Sequence, residues 1–552
     1  MRRWLSGVPA VVLVPLATGL LAMDWGLPCT DTWAPDALSP RASGLGALVE
    51  VYTPGHFHIY PPLHLLVLTL VALPWILLAV LRVGTNPGRL EQELIQPAYM
   101  TPVELGARLV AVAMAIGIVL CVYRLWERWE GARVARWAAL IAALNPVLVY
   151  YAHTGNLEVP YMFWIMATLV LLDAVARGEP RELACVLCAT AAVLTKDQSA
   201  AALMLVLPLG LVLLRPSRGL TDALRPRLLV AAGGGLAVFL AASGALTNPS
   251  GFRSRLALLL GPASQDWAEV PRGLAGTLVL LRALLVKLPL QSSLVFALAS
   301  VAGVVWILLR RQGLERGRRL VPFAAAVSFT LFFTLGARRT DERFLLPHAL
   351  LVLPYAAPVL DGLLRQRWRV LRYGGYVVVA LGLGAAGLGV ASLEATLLFD
   401  PRYEVERVLA TLAPATRVEV YGGPHFLPRF PRALDISRVG TDPLAERSHM
   451  PSVTEVLGLP EEITLRRPDY VLISSEFAND QLIQQMLEEG RVPYGVRAYS
   501  DRASWAFFRA LSQGELSYHR VLRARCRLPW PLDCRRTHGS AGGELWLFAR
   551  GG

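Results

Sequence analysis

Apolar runs of membrane-spanning length recur through the chain up to residue 398, and they constrain its fold more than any other feature. A helix needs about 20 mostly apolar residues to cross the hydrocarbon of a bilayer. Candidate runs occupy 5–23, 64–83, 103–123, 136–152, 159–176, 183–195, 198–214, 228–246, 292–309, 320–336, 344–361 and 373–398, several of them short and 183–195 most of all. Arginine clusters fall between them. Only 17% of residues are charged and 54% are hydrophobic. Soluble domains carry about a quarter charged residues, so this composition excludes a purely soluble protein. It excludes a disordered chain as well, since disorder needs low hydrophobicity and high charge. The formal charge of +13 does not mark a nucleic-acid binder, because no stripe interleaves basic with aromatic residues. Without a Walker loop or a GxGxxG after a strand, an ATP-driven pump is not supported.

Arginine placement sets the expected topology. The chain opens MRRW, and no small-x-small site follows Met23 before Asp24, so run 5–23 reads as an uncleaved anchor. If run 64–83 crossed the membrane, four arginine clusters would fall outside: 124–136, 215–227, 310–319 and 365–372. Cytoplasmic loops are the ones enriched in Lys and Arg. If 64–83 instead lies in the outer interface or re-enters, all four fall inside together with Arg2 and Arg3. Pro74 near its middle suits an interrupted or interfacial helix. The expected fold is therefore a polytopic α-helical membrane domain over 1–399, with eleven spans and a first outer loop at 24–102. Run 275–289 is then a second interfacial helix.

An extracytoplasmic α/β domain is expected over 400–552. The segments 418–422, 469–475 and 544–549 read as strands, and 400–412 and 479–489 as helices. Cys526 and Cys534 are eight residues apart there and could pair in an oxidising compartment. Cys185-x-x-Cys188 lies in an apolar run with no second ligand pair, so it reads as core rather than zinc.

Four groups of polar residues sit at the expected outer face. The first loop carries Asp24, Asp31 and Asp36, with Pro35 fixing the chain before Asp36 and Trp33 able to anchor it at the interface. The same loop holds His56, His58, Tyr60 and His64 around Pro61-Pro62, a spacing that matches no standard zinc motif but leaves a divalent metal possible. His153 opens the tip HTGNLEVP, which ends in Glu158 at a helix mouth. A helix N-terminal acid complements the dipole, which is the plain alternative for Glu158. Lys196 follows in LTKDQ; only two of the 54 cationic residues are lysine, so it is not drawn from a lysine background. Arg338, Arg339 and Arg343 crowd the tip 336–347, against the positive-inside trend, and a lipid phosphate at the outer surface supplies a reason. Together these groups suit a displacement in which phosphate leaves: a carboxylate takes the proton of an attacking hydroxyl and cations stabilise the departing phosphate. No nucleotide sugar is available outside the membrane, so a sugar donor used there must be tethered to a lipid.

The order of these features resembles the GT-C glycosyltransferases, in the branch of the protein O-mannosyltransferases and the aminoarabinose transferases acting on lipid A (the 39/83-type families). The resemblance rests on Trp33-Ala34-Pro35-Asp36-Ala37, Tyr60-Pro61-Pro62-Leu63, Arg108-Leu109, Arg128 to Gly131, Asn145-Pro146, Glu158-Val159-Pro160, Thr195-Lys196 and Arg343-Phe344-Leu345-Leu346-Pro347. It implies an inverting transfer of one sugar from a polyprenyl-phosphate carrier to a glycolipid, polysaccharide or protein acceptor. Asp36 falls at the loop carboxylate regarded as the base. Lys196 and Arg343 fall where cations meet the lipid phosphate, with Arg338 and Arg339 assisting. Glu158, Asp31, His153 and Tyr60 are candidates for binding sugar or acceptor. The family's Glu after the Asp is Ala37 here, which leaves a paired-carboxylate role to Glu158 or Asp31.

Two other classes share parts of this pattern. A secondary transporter would carry ionisable groups near mid-span in matched halves; here the notable charges gather at tips. A non-catalytic lipid-binding subunit on the same scaffold is the reading that Ala37 favours. The arginine-rich usage suggests a GC-rich genome and hence a bacterial inner membrane, with the tail in the periplasm. Topology reporters fused at residue 90, residue 130 and the C-terminus test the arrangement. The expected signals are external, cytoplasmic and external; a cytoplasmic signal at residue 90 breaks it.

Overall fold

The computed structural model describes all residues except 1–8, 30–31, 35–36, 39–44, 214–225, 266–267, 442, 445–446, 448–449, 451, 475–501, 535–540 and 552. It divides into two compact units: one of residues 1–23, 42–74 and 105–391, the other of 24–41, 75–104 and 392–552.

The first unit is helical; the apolar runs become helices, with 136–152, 198–214 and 344–361 each broken into two. In chain order these are α1 (Pro9–Leu20), α2 (Leu45–Tyr52), α3 (Pro62–Val83), α4 (Pro87–Leu94), α5 (Pro97–Glu130), α6 (Ala132–Ala143), α7 (Pro146–Ala152), α8 (Glu158–Ala176) and α9 (Glu182–Thr195). Then follow α10 (Ser199–Leu203), α11 (Val206–Leu213), α12 (Pro226–Ala242), α13 (Pro249–Leu260), α14 (Leu274–Lys287) and α15 (Leu294–Arg310). The series ends with α16 (Gly313–Phe329), which runs into a π-helical stretch Thr330–Arg338, then α17 (Glu342–Val352), α18 (Ala356–Leu364) and α19 (Arg369–Leu398). Helices α3, α4 and α5 carry the chain into and out of the second unit.

Polar contacts sort the helix ends of the first unit into two sets. At one end Glu130 pairs with Arg311 and Arg319 at 3.0 Å each. Asp361 there takes Arg133 at 2.6 Å and Arg365 at 2.9 Å. Asp173 accepts from Trp129 at 2.9 Å and Arg177 at 3.0 Å. The arginine clusters around 130, 311–319 and 365 therefore share one end, as positive-inside placement requires. The other end gathers Glu158, Lys196 and Phe344, as described below. Helix α8, 19 residues long, runs between the two.

Helix α3 is continuous, long and apolar enough to cross a membrane, with mean hydropathy 2.5, and Pro74 does not interrupt it, contrary to expectation. Glu269 before α14 and Lys287 at its close both contact Thr340 at the tip end. By length and apolarity seven of the described helical segments could cross a membrane, α3 and α14 among them, or eight if the bent pair α6–α7 (63° at its break) counts as one; α1, α9, α12 and α15 are apolar but shorter.

The passes pack through small residues, because lipid gives no hydrophobic drive between helices and close backbone approach must supply contact. At Gly303 of α15 a Cβ would stand 1.9 Å from the Tyr355 carbonyl oxygen. Tyr355 itself is buried edge-on against Trp126 at 5.3 Å, and its hydroxyl donates to the Arg319 carbonyl.

The second unit holds a six-stranded sheet of β1 (Arg417–Tyr421), β2 (Asp435–Gly440), β3 (Thr454–Leu457), β4 (Tyr470–Ser474), β5 (Tyr518–Ala524) and β6 (Leu545–Arg550), in the order β3-β2-β1-β4-β6-β5. The first four strands are parallel and β5 and β6 antiparallel. Side chains alternate across it. Val418, Val420, Leu545 and Leu547 pack on α20 (Pro401–Leu409) through Val405 and Leu409. Tyr421, Val471, Trp546 and Phe548 pack on α21 (Ile463–Arg466) and α22 (Arg502–Gln513) through Ile463, Phe507 and Phe508. Glu419 also points to that second face and is buried; Arg466 neutralises it at 2.7 Å. Segments 418–422, 469–475 and 544–549 are strands as expected, each within a residue, and 400–412 begins with α20. The helix expected at 479–489 lies outside the described residues. Cys526 is a free thiol beside Thr396 rather than half of a disulfide; the Cys534 side chain lies outside the described set.

Packing at Gly303 gives a direct check. Gly303→Val should lower the thermal midpoint in detergent by several degrees, because backbone stands where the side chain must go. Gly384→Ala in α19, with nothing within 4 Å of a built Cβ, should leave it unchanged.

Candidate active site

Three short tips meet at one end of the first unit. The first follows α7. Asn145 caps that helix, its side chain accepting from Leu148 N at 2.8 Å, with Pro146 preset for the first turn. The helix closes on His153, whose ring nitrogens face the Val149 oxygen at 2.8 Å and the Leu21 oxygen at 2.5 Å. His153 therefore spans α1 and α7 and fixes the tip; both ring nitrogens are engaged by backbone. The chain then turns into α8, and Glu158 stands in its first turn with only 3% of its side chain exposed.

Lys196 ends α9. Its backbone is extended (φ −155°, ψ 125°), so its side chain leaves the helix axis and reaches Glu158 Oε1 at 2.5 Å. The ammonium is 12% exposed and sits over the rings of Tyr161 at 5.4 Å and Phe344 at 5.9 Å. Tyr161 shares a helix face with Glu158, three residues on. Its hydroxyl is buried, without a hydrogen-bond partner among the described residues, and feels both Glu158 and Arg343.

Phe344 belongs to the third tip. The guanidinium of Arg343 lies 4.8 Å from its ring centroid and that of Arg339 4.7 Å. Arg339 also pairs with Asp341. Lys196, Arg339 and Arg343 thus surround one aromatic ring, with Glu158 paired to the first and Asp341 to the second. Guanidinium forks match phosphate oxygens, so the cations of this tip are of a kind suited to an anion.

The third tip is held in place from behind. The π-helical stretch ends at Arg338 with φ +54°, an uncommon conformation for a side chain of that size. The Arg338 carbonyl accepts from Glu269 N at 2.9 Å, and its Nε donates to Gln265 at 2.9 Å. Glu269 accepts from Thr340 N at 2.6 Å and Thr340 Oγ1 at 2.7 Å, while Lys287 donates to the Thr340 carbonyl at 3.0 Å. Arg338 therefore turns toward 265–269, away from Phe344, and serves as an anchor of the tip. Gln265, Glu269, Thr340 and Lys287 escaped the sequence reading. Lys287, the second of the two lysines, was the signal available.

The neighbouring Asp197 takes the buried Arg255 of α13, whose Nη1 lies 3.5 Å from His58 Nε2. Burial and the adjacent Arg255 cation hold His58 below the ordinary imidazole range, so it is neutral at pH 7. Among the described residues no three His, Cys, Asp or Glu side chains converge as a metal site. Tyr60 is half-buried just before Pro61-Pro62. Asp31 and Asp36 lie outside the described residues.

Comparison with known proteins bears on this geometry. Residues 100–243 match the family model described as dolichyl-phosphate-mannose-protein mannosyltransferase. The matched segment carries Arg108, Glu158 and Lys196, so the resemblance read from the ordered motifs is met by an independent match over that stretch. No curated protein sequence matches the chain. Among solved structures, ArnT from Cupriavidus metallidurans bound to undecaprenyl phosphate is 15% identical, with 97% of each chain covered and a TM-score of 0.48. The Archaeoglobus fulgidus oligosaccharyltransferase in its apo form is 10% identical over 98% of this chain and 88% of that one, TM-score 0.45. The arabinofuranosyltransferase AftD from Mycobacteria is 15% identical over 100% of this chain and 40% of that one, TM-score 0.46.

The Glu158–Lys196 pair is testable by stability. Removing one member of a buried pair strands the other charge and costs about 3–5 kcal/mol. Lys196→Met alone should therefore destabilise the protein more than Lys196→Met with Glu158→Gln, as read by unfolding in detergent. Equal losses for the two would show that the pair is not coupled.

Proposed function

We propose that the protein is a membrane glycosyltransferase. In this reading it moves one sugar from a polyprenyl-phosphate carrier to a hydroxyl-bearing acceptor on the extracytoplasmic face. The observation carrying the reading is the gathering of Lys196, Arg339 and Arg343 around Phe344, with Glu158 beside them. The mannosyltransferase family match over the segment that supplies Glu158 and Lys196 supports it.

The chemistry is a single displacement. The acceptor oxygen attacks the anomeric carbon, and its proton passes to the Asp36 carboxylate. The bond from the anomeric carbon to the phosphate oxygen breaks, and the polyprenyl phosphate leaves with the electron pair. Attack opposite the leaving group inverts the anomeric centre. Lys196 and Arg343 hold the phosphate and stabilise its growing charge, with Arg339 assisting. Glu158 keeps the Lys196 ammonium in place and faces sugar or acceptor. Arg338 acts at one remove, through the shape of its tip. The outer sidedness of the tips, the periplasmic placement of 400–552 and a bacterial inner membrane belong to the same proposal and rest on the arginine distribution.

Reconstitution with a polyprenyl-phosphate sugar tests it. Wild-type protein should form a new glycosidic bond. Asp36→Asn should lose about 100-fold or more in rate, the scale of a missing general base. Arg343→Ala should lower transfer and raise the donor KM. Full transfer by Asp36→Asn removes the base assignment, and movement of substrate across vesicles without a new bond makes the protein a transporter.

A further inference from the structure

Tyr161 is the odd residue of the tip end. It stands on α8 three residues after Glu158, so the two side chains share a face of the helix. None of its surface is exposed, and its hydroxyl has no hydrogen-bond partner among the described residues. A phenol carries one donor and can also accept. Burying it unpaired costs stability, because the water it gave up is not replaced. Tyrosines buried elsewhere avoid that cost. The Tyr355 hydroxyl donates to the Arg319 carbonyl and accepts from Phe323 N at 3.3 Å, and the Tyr518 hydroxyl donates to the Pro468 carbonyl at 2.9 Å. Packing round Lys196 needs only a ring: Phe344 faces the same ammonium at 5.9 Å, against 5.4 Å for Tyr161. The Tyr161 hydroxyl is surplus to that packing.

Its surroundings say what the hydroxyl is for. The Lys196 ammonium lies over its ring, and Arg343 is within electrostatic reach. These are the two cations assigned above to the donor phosphate. We infer that the Tyr161 hydroxyl is a further ligand to that phosphate, donating its hydrogen to a phosphate oxygen. This rests on the reading of the tip as a polyprenyl-phosphate site. Lys196 and Arg343 supply attraction; a phenol O–H adds direction, since it reaches one oxygen along one line. Lys196 sits on extended backbone at the end of α9 and carries a flexible stem, so a phosphate that draws its ammonium from Glu158 also uncovers the ring beneath. The instability of an unpaired phenol is relieved on binding, and the site gains affinity without gaining charge. Glu158, one turn back on the same face, accepts from Lys196 and leaves the Tyr161 hydrogen to the ligand.

The test uses the full chain in nanodiscs and two probes, a polyprenyl phosphate without sugar and the same carrier bearing one, with binding read by isothermal titration calorimetry. Tyr161→Phe removes the hydroxyl and keeps the ring under Lys196. It should raise Kd for the sugar-free carrier about 10-fold or more, the scale of a lost hydrogen bond to a charged group. The thermal midpoint measured without carrier should stay the same or rise. Tyr355→Phe is the control: it strips Phe323 N and the Arg319 carbonyl of their partner, so it should lower the midpoint and change Kd less than about twofold. A merely structural Tyr161 would not move stability and binding in opposite directions. Wild-type affinity in Tyr161→Phe overturns the inference. So does a loss confined to the sugar-bearing carrier, which would put the hydroxyl on the sugar, and so does a midpoint lowered as in Tyr355→Phe, which would show that the fold uses the hydroxyl. If wild-type protein binds neither probe, the polyprenyl-phosphate reading fails and takes the inference with it; wild-type binding with an unaffected variant fails the inference alone.

Discussion

A lysine ammonium taken out of water needs an anion, and the one it finds decides how this end of the helical unit is built. Lys196 meets Glu158 at 2.5 Å. The pair locks the end of α9 to the start of α8, and the aromatic walls of Tyr161 and Phe344 close round it. Burial of such a pair is costly unless geometry is good and further groups help. The cation–ring contacts are that help. They also bring Arg343 and Arg339 to the same ring, so the buried pair and the cationic cluster are one arrangement.

Everything behind that arrangement serves to present short tips rather than long loops. His153 pins one tip to the end of α1 through the Leu21 carbonyl and to its own helix α7 through that of Val149. Arg255 pins the next through Asp197. Glu269 and Lys287 pin the third through Thr340. The arginines at the far end of the helices are satisfied differently, by Glu130, Asp173 and Asp361 in pairs and triplets. At the far end each carboxylate takes two arginines, whereas round Phe344 the cations also stack on one aromatic ring.

The sequence made the helical unit legible because bilayer spanning demands long apolar runs, and the runs fold as helices, some of them broken in two. Asn145-Pro146 announced its cap. Glu158 and Lys196 stood out by position and by the scarcity of lysine. Their pairing did not: Asp197 is the nearer acid in sequence, and only the extended backbone at Lys196 sends the side chain across to α8 instead. Gln265, Glu269 and Thr340 were invisible because their contacts depend on the π-helical stretch and the left-handed turn at Arg338, neither of which has a pattern in the residues. Strands β2 and β3 were missed for a related reason. They are short, and β3 shows no clear alternation of burial. The bonds between Trp25 and Asp400 or Trp33 and Arg402 join residues hundreds of positions apart, where local pattern says nothing.

The most direct measurement of the central idea is phosphate binding itself. Phosphorus NMR of a polyprenyl phosphate titrated with the protein in nanodiscs should show a saturable shift, abolished in Arg343→Ala and weakened in Arg339→Ala. A shift that persists unchanged in both variants, or none with wild-type protein, would place the lipid phosphate elsewhere and contradict the account.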